Sequence, residues 1–161
     1  TPARETRCME AQGASGPSRW RLHALFYGTH LLIDCHNVPR TVCLDDRRML
    51  QAMATGADRA GANVINQVRY KFGADSPPGF AAVIVLDESH CSVHTYADEG
   101  KMAMDIFTCG STDPQNILDH IQSLIDLGTI SVQRIGRFDA CGTRTVIDTD
   151  SSTPGPVALK N

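Results

Sequence analysis

The sequence predicts an α+β domain: a mainly antiparallel sheet with helices packed on one face, a two-layer α/β sandwich. Three observations carry this expectation. Four β-type runs follow one another between Asn63 and Phe107 with only turn-rich breaks, so hairpins join them. Two segments, opened by Asp45-Asp46 and by Asp113-Pro114, repeat apolar residues every three or four positions, the period of a helix with one buried face. A chain of 161 residues, 42% hydrophobic, suits one domain with a sizeable core.

Residues 1–27 are expected to form a flexible extension, since the stretch to Arg19 is polar, small and aperiodic. The domain itself is assigned to 28–148. Its first strand is His30 to Cys35, through Leu31, Leu32 and Ile33. Asp45 and Asp46 then supply an N-cap and first-turn charge for a helix to about Ala60, buried through Met49, Leu50, Met53, Ala57 and Ala60 and stopped by Gly61. Asn63 to Phe72 alternates as a second strand, and Gly73 to Gly79, with two prolines, is a loop. Phe80 to Leu86 is continuously apolar and reads as a central strand. A fourth strand, a tight connection over Ala97 to Gly100 and a fifth strand over Met102 to Phe107 follow.

Pro114 opens the second helix at its first position, and the stripe Ile117, Leu118, Ile121, Leu124, Ile125 carries it to about Leu127. Gly128 ends it, and Ile130 to Ile135 makes a last strand. Residues 149–161 are expected to be a flexible tail. Helices on one face leave the other sheet face to be covered, and a second copy of the chain is the obvious cover.

Net charge is −3 and the isoelectric point near 6.0, which disfavours a nucleic-acid partner. No apolar run approaches a membrane span, and the first 27 residues lack a signal-peptide core, so a cytoplasmic protein is expected. The six cysteines form no C-x-x-C pair and read as free thiols in a reducing compartment.

Reactive groups concentrate in 88–110: Glu88-Ser89-His90-Cys91-Ser92-Val93-His94-Thr95-Tyr96, then Asp98, Glu99 and Gly100, then Asp105-Ile106-Phe107-Thr108-Cys109-Gly110. Taken alone, Ser89 is a solvated loop serine, His94 a satisfied histidine and Cys109 a small buried hydrophobe. His90 and His94 share a strand face but stand roughly 13 Å apart, too far to chelate one zinc unaided, so no metal is expected. His94 lies five residues after Ser89, and odd separations on an unbroken strand point to opposite faces. For the two to meet, the strand must bend between them.

Glu88-Ser89-His90, His94-Thr95-Tyr96, Gly100 and Asp105 to Gly110, at this spacing, resemble the self-cleaving signature of the prokaryotic S-adenosylmethionine decarboxylase proenzyme family. Weaker similarity covers roughly 28–138. The resemblance implies that the Ser89 hydroxyl attacks the carbonyl of Glu88, giving an ester that eliminates and hydrolyses to a pyruvoyl group, the only cofactor the family needs. Fragments of 88 and 73 residues would result. The pyruvoyl ketone condenses with the substrate amine and draws the electrons left by CO₂. His94 matches the histidine that assists processing, and Cys109 the thiol that returns a proton to the substrate carbon. Phe72 falls where the family stacks an aromatic on adenine, and Asp98 where it places a carboxylate on ribose hydroxyls. Ser89, His94 and Cys109 are thus expected to converge in one pocket, and homo-oligomers of sandwich-like dimers, with sites at or near the interface, are implied.

The chain departs from the family pattern at several points. Ala81 replaces a serine implicated in processing, Ala97 a proline, Asp98 a glutamate, and Tyr70-Lys71-Phe72 a His-Arg-Phe. The 73–79 loop is also longer, by about three residues on the family pattern. Three functions therefore stay open. The first is S-adenosylmethionine decarboxylation supplying aminopropyl groups for spermidine-type polyamines. The second is a pyruvoyl-dependent arginine or ornithine decarboxylase. The third is an unprocessed regulatory or binding paralogue.

Overall fold

A single sheet of seven antiparallel strands organises the chain, in the order β2-β3-β4-β5-β1-β6-β7. The structure, a computed structural model, describes residues 28–137 and 146–149. The expected extension over 1–27 and the tail beyond Thr149 lie outside the described residues. The elements are β1 (Gly28–His36), α1 (Arg40–Cys43), α2 (Asp46–Arg59), β2 (Val64–Lys71), β3 (Phe80–Leu86), β4 (Ser89–Tyr96), β5 (Lys101–Cys109), α3 (Pro114–Leu124), β6 (Thr129–Arg137) and β7 (Val146–Thr149).

The helices follow their caps. The Asp45 side chain accepts from the Arg48 amide at 3.1 Å and opens α2; Gly61, at φ 82°, follows its end. Asp113 accepts from the Gln115 amide at 3.0 Å, with Pro114 beside it, and opens α3. That helix stops at Leu124, earlier than the apolar stripe suggests. Ile125 turns extended, yet stays buried together with Leu127, so the same residues reach the core as a connection rather than a last turn. The short α1 and the strand β7 carry no sequence signal that anticipates them.

Both long helices lie on one face, α2 against β2 and β3, α3 against β5 and β1, and each packs on the other. Strand alternation then divides the side chains. Leu31, Ile33, Cys35, Phe80, Ala82, Ile84, Cys91, Val93, Met102, Met104 and Ile106 face the helices and are buried. A threonine is drawn into this core: Thr95 Oγ1 accepts from the Phe80 amide at 2.9 Å and donates to the Cys43 carbonyl at 2.9 Å, tying α1 to the start of β3. Asp46 is also buried there, bonded to Arg69 and, at 3.2 Å, to Lys71 Nζ, so α2 is clamped onto the edge strand β2.

The other face is open. It carries Val68, Tyr70, Val85 and Tyr96, all large, apolar and more than a third exposed. Among these stand His90, His94, Phe107 and Cys109. This is the face the sequence expects a second copy to cover.

Candidate active site

Glu88 and Ser89 sit where β3 turns into β4. Leu86 pairs with Ser89, so only Asp87 and Glu88 make the turn. Glu88 has φ 60°, a left-handed conformation uncommon for a glutamate. The peptide between Glu88 and Ser89 therefore leaves a residue in an uncommon backbone region and enters a paired strand. At this corner the Cys109 amide donates to Ser89 Oγ at 3.1 Å. The serine oxygen is fixed while its own proton is left free to be given away.

Cys109 ends β5, paired with Gly28 of β1. Its thiol is pushed above the ordinary cysteine range, first by burial and then by the Glu88 carboxylate. Glu88, Ser89 and Cys109 thus meet at one corner, through the Cys109 backbone amide and a carboxylate the thiol senses, although alternation sends the Ser89 and Cys109 side chains to opposite faces of the sheet. A thiol of this kind keeps its proton at neutral pH.

His94 is elsewhere. β4 runs unbroken from Ser89 to Tyr96 and stays in register with β3 and β5, so the bend expected between Ser89 and His94 is absent. Alternation sends Ser89 to the helix side and His94 to the open face, about 16 Å further along the strand at roughly 3.3 Å per residue. The physical reason is cross-strand pairing. Each ladder position between Ala81 and Leu86 on β3 has a partner on β4, leaving no unpaired residue to make a bulge.

Instead His94 belongs to an aromatic group at the far end of the hairpin. Its ring lies 4.9 Å from Phe72 and stacks 4.9 Å from Tyr96, with Tyr70 6.3 Å beyond Phe72. Its cross-strand partner is Ala81, so a serine there would stand beside it. Phe72 is held by its amide, which donates to the Gly79 carbonyl at 3.1 Å and closes the 73–79 loop. Gly79 has no room for a side chain: a Cβ would stand 2.4 Å from the Thr95 carbonyl and 3.1 Å from the Phe72 ring. Asp98, in the turn between β4 and β5, is hydrogen-bonded and ion-paired to Arg40 of α1, a partner 58 residues away that no local signal marks.

The predicted residues thus fall into two groups at opposite ends of the β4–β5 hairpin. One is Glu88, Ser89 and Cys109; the other is Phe72, His94 and Asp98. Cys91, which has no counterpart in the signature, is fully buried and its thiol pushed far up by burial. Between the two groups lies a polar cluster that sequence reasoning passes over. His30 Nε2 stands 3.6 Å from Asp105, which accepts from Ser92 at 3.2 Å, and Arg137 reaches His30 Nδ1 at 3.3 Å. Only the sheet order, with β1 between β5 and β6, assembles it.

Known proteins resemble this chain in sequence and in fold. A family model described as S-adenosylmethionine decarboxylase matches residues 29–138. The S-adenosylmethionine decarboxylase proenzyme 2 of Bacillus cereus is 34% identical over 113 residues, 69% of this chain and 89% of that protein. The S-adenosylmethionine decarboxylase proenzyme of Symbiobacterium thermophilum is 37% identical over 100 residues, 62% of this chain and 74% of that one. Among solved structures, the crystal structure of adenosylmethionine decarboxylase from Aquifex aeolicus superposes with a TM-score of 0.60 at 26% identity, covering 71% of this chain and 92% of that one. Over residues 29–138, this chain belongs to the S-adenosylmethionine decarboxylase family.

Proposed function

We propose that this chain is a pyruvoyl-dependent S-adenosylmethionine decarboxylase, activated by self-cleavage between Glu88 and Ser89, whose product donates aminopropyl groups to spermidine-type polyamines. The observation that carries the reading is the corner itself: a left-handed Glu88 followed by a serine whose oxygen is held by the Cys109 amide. In the first step Oγ bonds to the Glu88 carbonyl carbon, the C–N bond breaks, and the freed amine takes the hydroxyl proton. Loss of the Cα proton of residue 89 then breaks the ester C–O bond, leaving Glu88 as a carboxylate and a dehydroalanine. Water exchanges its nitrogen for oxygen, and ammonia leaves. The resulting pyruvoyl group supplies the electron sink for the pair left by departing CO₂.

The chain's own residues do the rest. The raised Cys109 thiol retains a proton to return to the substrate carbon. Phe72 offers a ring face for adenine and for the sulfonium cation, and Asp98 a carboxylate for the ribose hydroxyls.

Within one copy, Phe72, His94 and Asp98 are too far from Ser89 to act on it. A second copy laid open face to open face, with its hairpin reversed by a two-fold axis, brings His94 of one copy toward the Cys109 end of the other copy's hairpin, where the Glu88–Ser89 peptide turns the corner. The exposed Val68, Tyr70, Val85 and Tyr96 support such an isologous contact, since burying them removes apolar area from water. We therefore read the active form as a homo-oligomer of cleaved chains.

The test combines intact mass measurement with CO₂ release from carboxyl-labelled S-adenosylmethionine, arginine and ornithine. Two fragments, with S-adenosylmethionine turned over fastest, are expected. Phe72→Ala should weaken its binding by about 1–3 kcal/mol, and Asp98→Ala by roughly 1.5–3 kcal/mol. Faster turnover of a free basic amino acid, with Phe72→Ala silent, would reassign the substrate. One uncut chain would favour the regulatory reading.

A further inference from the structure

Cys109 faces an odd neighbour. The residue directly across from it on β1 is Gly28, and the residue across from Gly28 on β6 is Arg137. All three lie in one row across the open face. The seat in the middle of that row, where Gly28 has no side chain, is filled by the ring of Phe107. A Cβ built on Gly28 would stand 2.6 Å and 2.7 Å from two ring carbons. Paired Cβ positions lie about 4.5–5.5 Å apart, so the ring tip is beside Cys109.

Phe107 is held there from every side. His90 and His30 are its direct cross-strand partners, with ring centroids at 5.5 Å and 5.7 Å. The Arg137 guanidinium lies over its ring, 5.6 Å from the centroid. The aromatic ring therefore separates a permanent cation from a thiol two strands away, roughly 10 Å apart in backbone terms. Arginine side chains span most of such a gap, and a neighbouring guanidinium turns a thiol into a thiolate.

We propose that Phe107, seated over Gly28, is a positioning residue that walls the Cys109 thiol off from Arg137 and from water, so that the thiol keeps the proton it gives back. The purpose rests on the decarboxylase reading above; the wall does not. The charged and titratable groups around the thiol are Glu88 on the β3–β4 turn, His90 on β4, His30 on β1, Asp105 on β5 and Arg137 on β6. Burial, first, and Glu88 push the thiol up.

The experiment is the pH dependence of Cys109 alkylation by iodoacetamide on the full chain, resolved by peptide mass spectrometry. Phe107→Ala and Gly28→Ala should both lower the pH midpoint, by about one unit or more, which is about tenfold more thiolate at neutral pH. Phe107→Leu should keep the wild-type midpoint, and Arg137→Gln added to Phe107→Ala should recover part of the shift. A packing defect alone would not be rescued by removing a charge. If Gly28→Ala does not fold, the Phe107 and Arg137 variants decide. Midpoints equal to wild type in Phe107→Ala, or a shift that Arg137→Gln leaves untouched, overturn the assignment. A wild-type chain that neither cleaves nor releases CO₂ overturns the decarboxylase reading instead, and leaves these midpoints to judge the wall.

Discussion

If His94 serves the Ser89 of another copy, two chains that are each dead alone should make one live site together. The perturbation is a pair of variants, Ser89→Ala and His94→Ala, co-expressed with different tags so that mixed pairs are purified. The geometry sets the expectation. Ser89 and His94 of one chain are about 16 Å apart and on opposite sheet faces, whereas acid–base help requires about 2.6–3.2 Å or one bridging water. No rotamer change closes that gap. In a mixed pair one site combines the intact Ser89 of the His94→Ala chain with the intact His94 of the Ser89→Ala chain; the other site has neither. Intact mass should show the His94→Ala chain cut and the Ser89→Ala chain whole. Each variant purified alone should remain uncut, so roughly half of the chains in mixed pairs are processed, against almost none in like pairs. Mixed pairs that stay whole, or His94→Ala homo-oligomers that cleave as fast as wild type, would refute the two-copy site.

Two further outcomes test the scaffold beneath that site. Thr95→Val keeps the side-chain volume but removes the partner of the Phe80 amide and of the Cys43 carbonyl; we expect a loss of about 2–6 kcal/mol, at about 1–3 per buried group left unmade, read from urea unfolding midpoints. For Asp46, burial pushes the carboxyl up, but hydrogen bonds from Arg69 and Lys71 outweigh it and hold the group below the usual carboxylate range. A folded value below the unfolded one means its stabilisation is complete above about pH 4 and is lost as pH falls through the folded value. Asp46→Asn should cost about 1–3 kcal/mol at pH 7, because Arg69 and Lys71 stay partly solvated when left alone. The difference from wild type should shrink toward the acid limit, and a difference that grows on acidification would contradict the assignment.

Local order in this chain is legible because it is written in local chemistry. The caps at Asp45 and Asp113, the helical spacing from Met49 to Ala57 and from Ile117 to Ile121, and the apolar run Phe80–Leu86 each name an element from neighbouring residues alone. The Glu88-Ser89 corner is legible for the same reason. Sheet order is not, because nothing within β1 states that it inserts between β5 and β6; that follows from burying Leu31 and Ile33 under α3 beside Met104 and Ile106. On this insertion depend the row Cys109–Gly28–Arg137 and the seat for Phe107. The sequence also names Ser89, His94 and Cys109 as one set without revealing that an unbroken ladder sets His94 apart. Alternation in a regular strand is a local rule, but whether the strand is regular is decided by its partners. With both neighbours of β4 in register from His90 to His94, the hydrogen bonds of two ladders hold it straight, and within one chain His94 stays apart from Ser89 and Cys109.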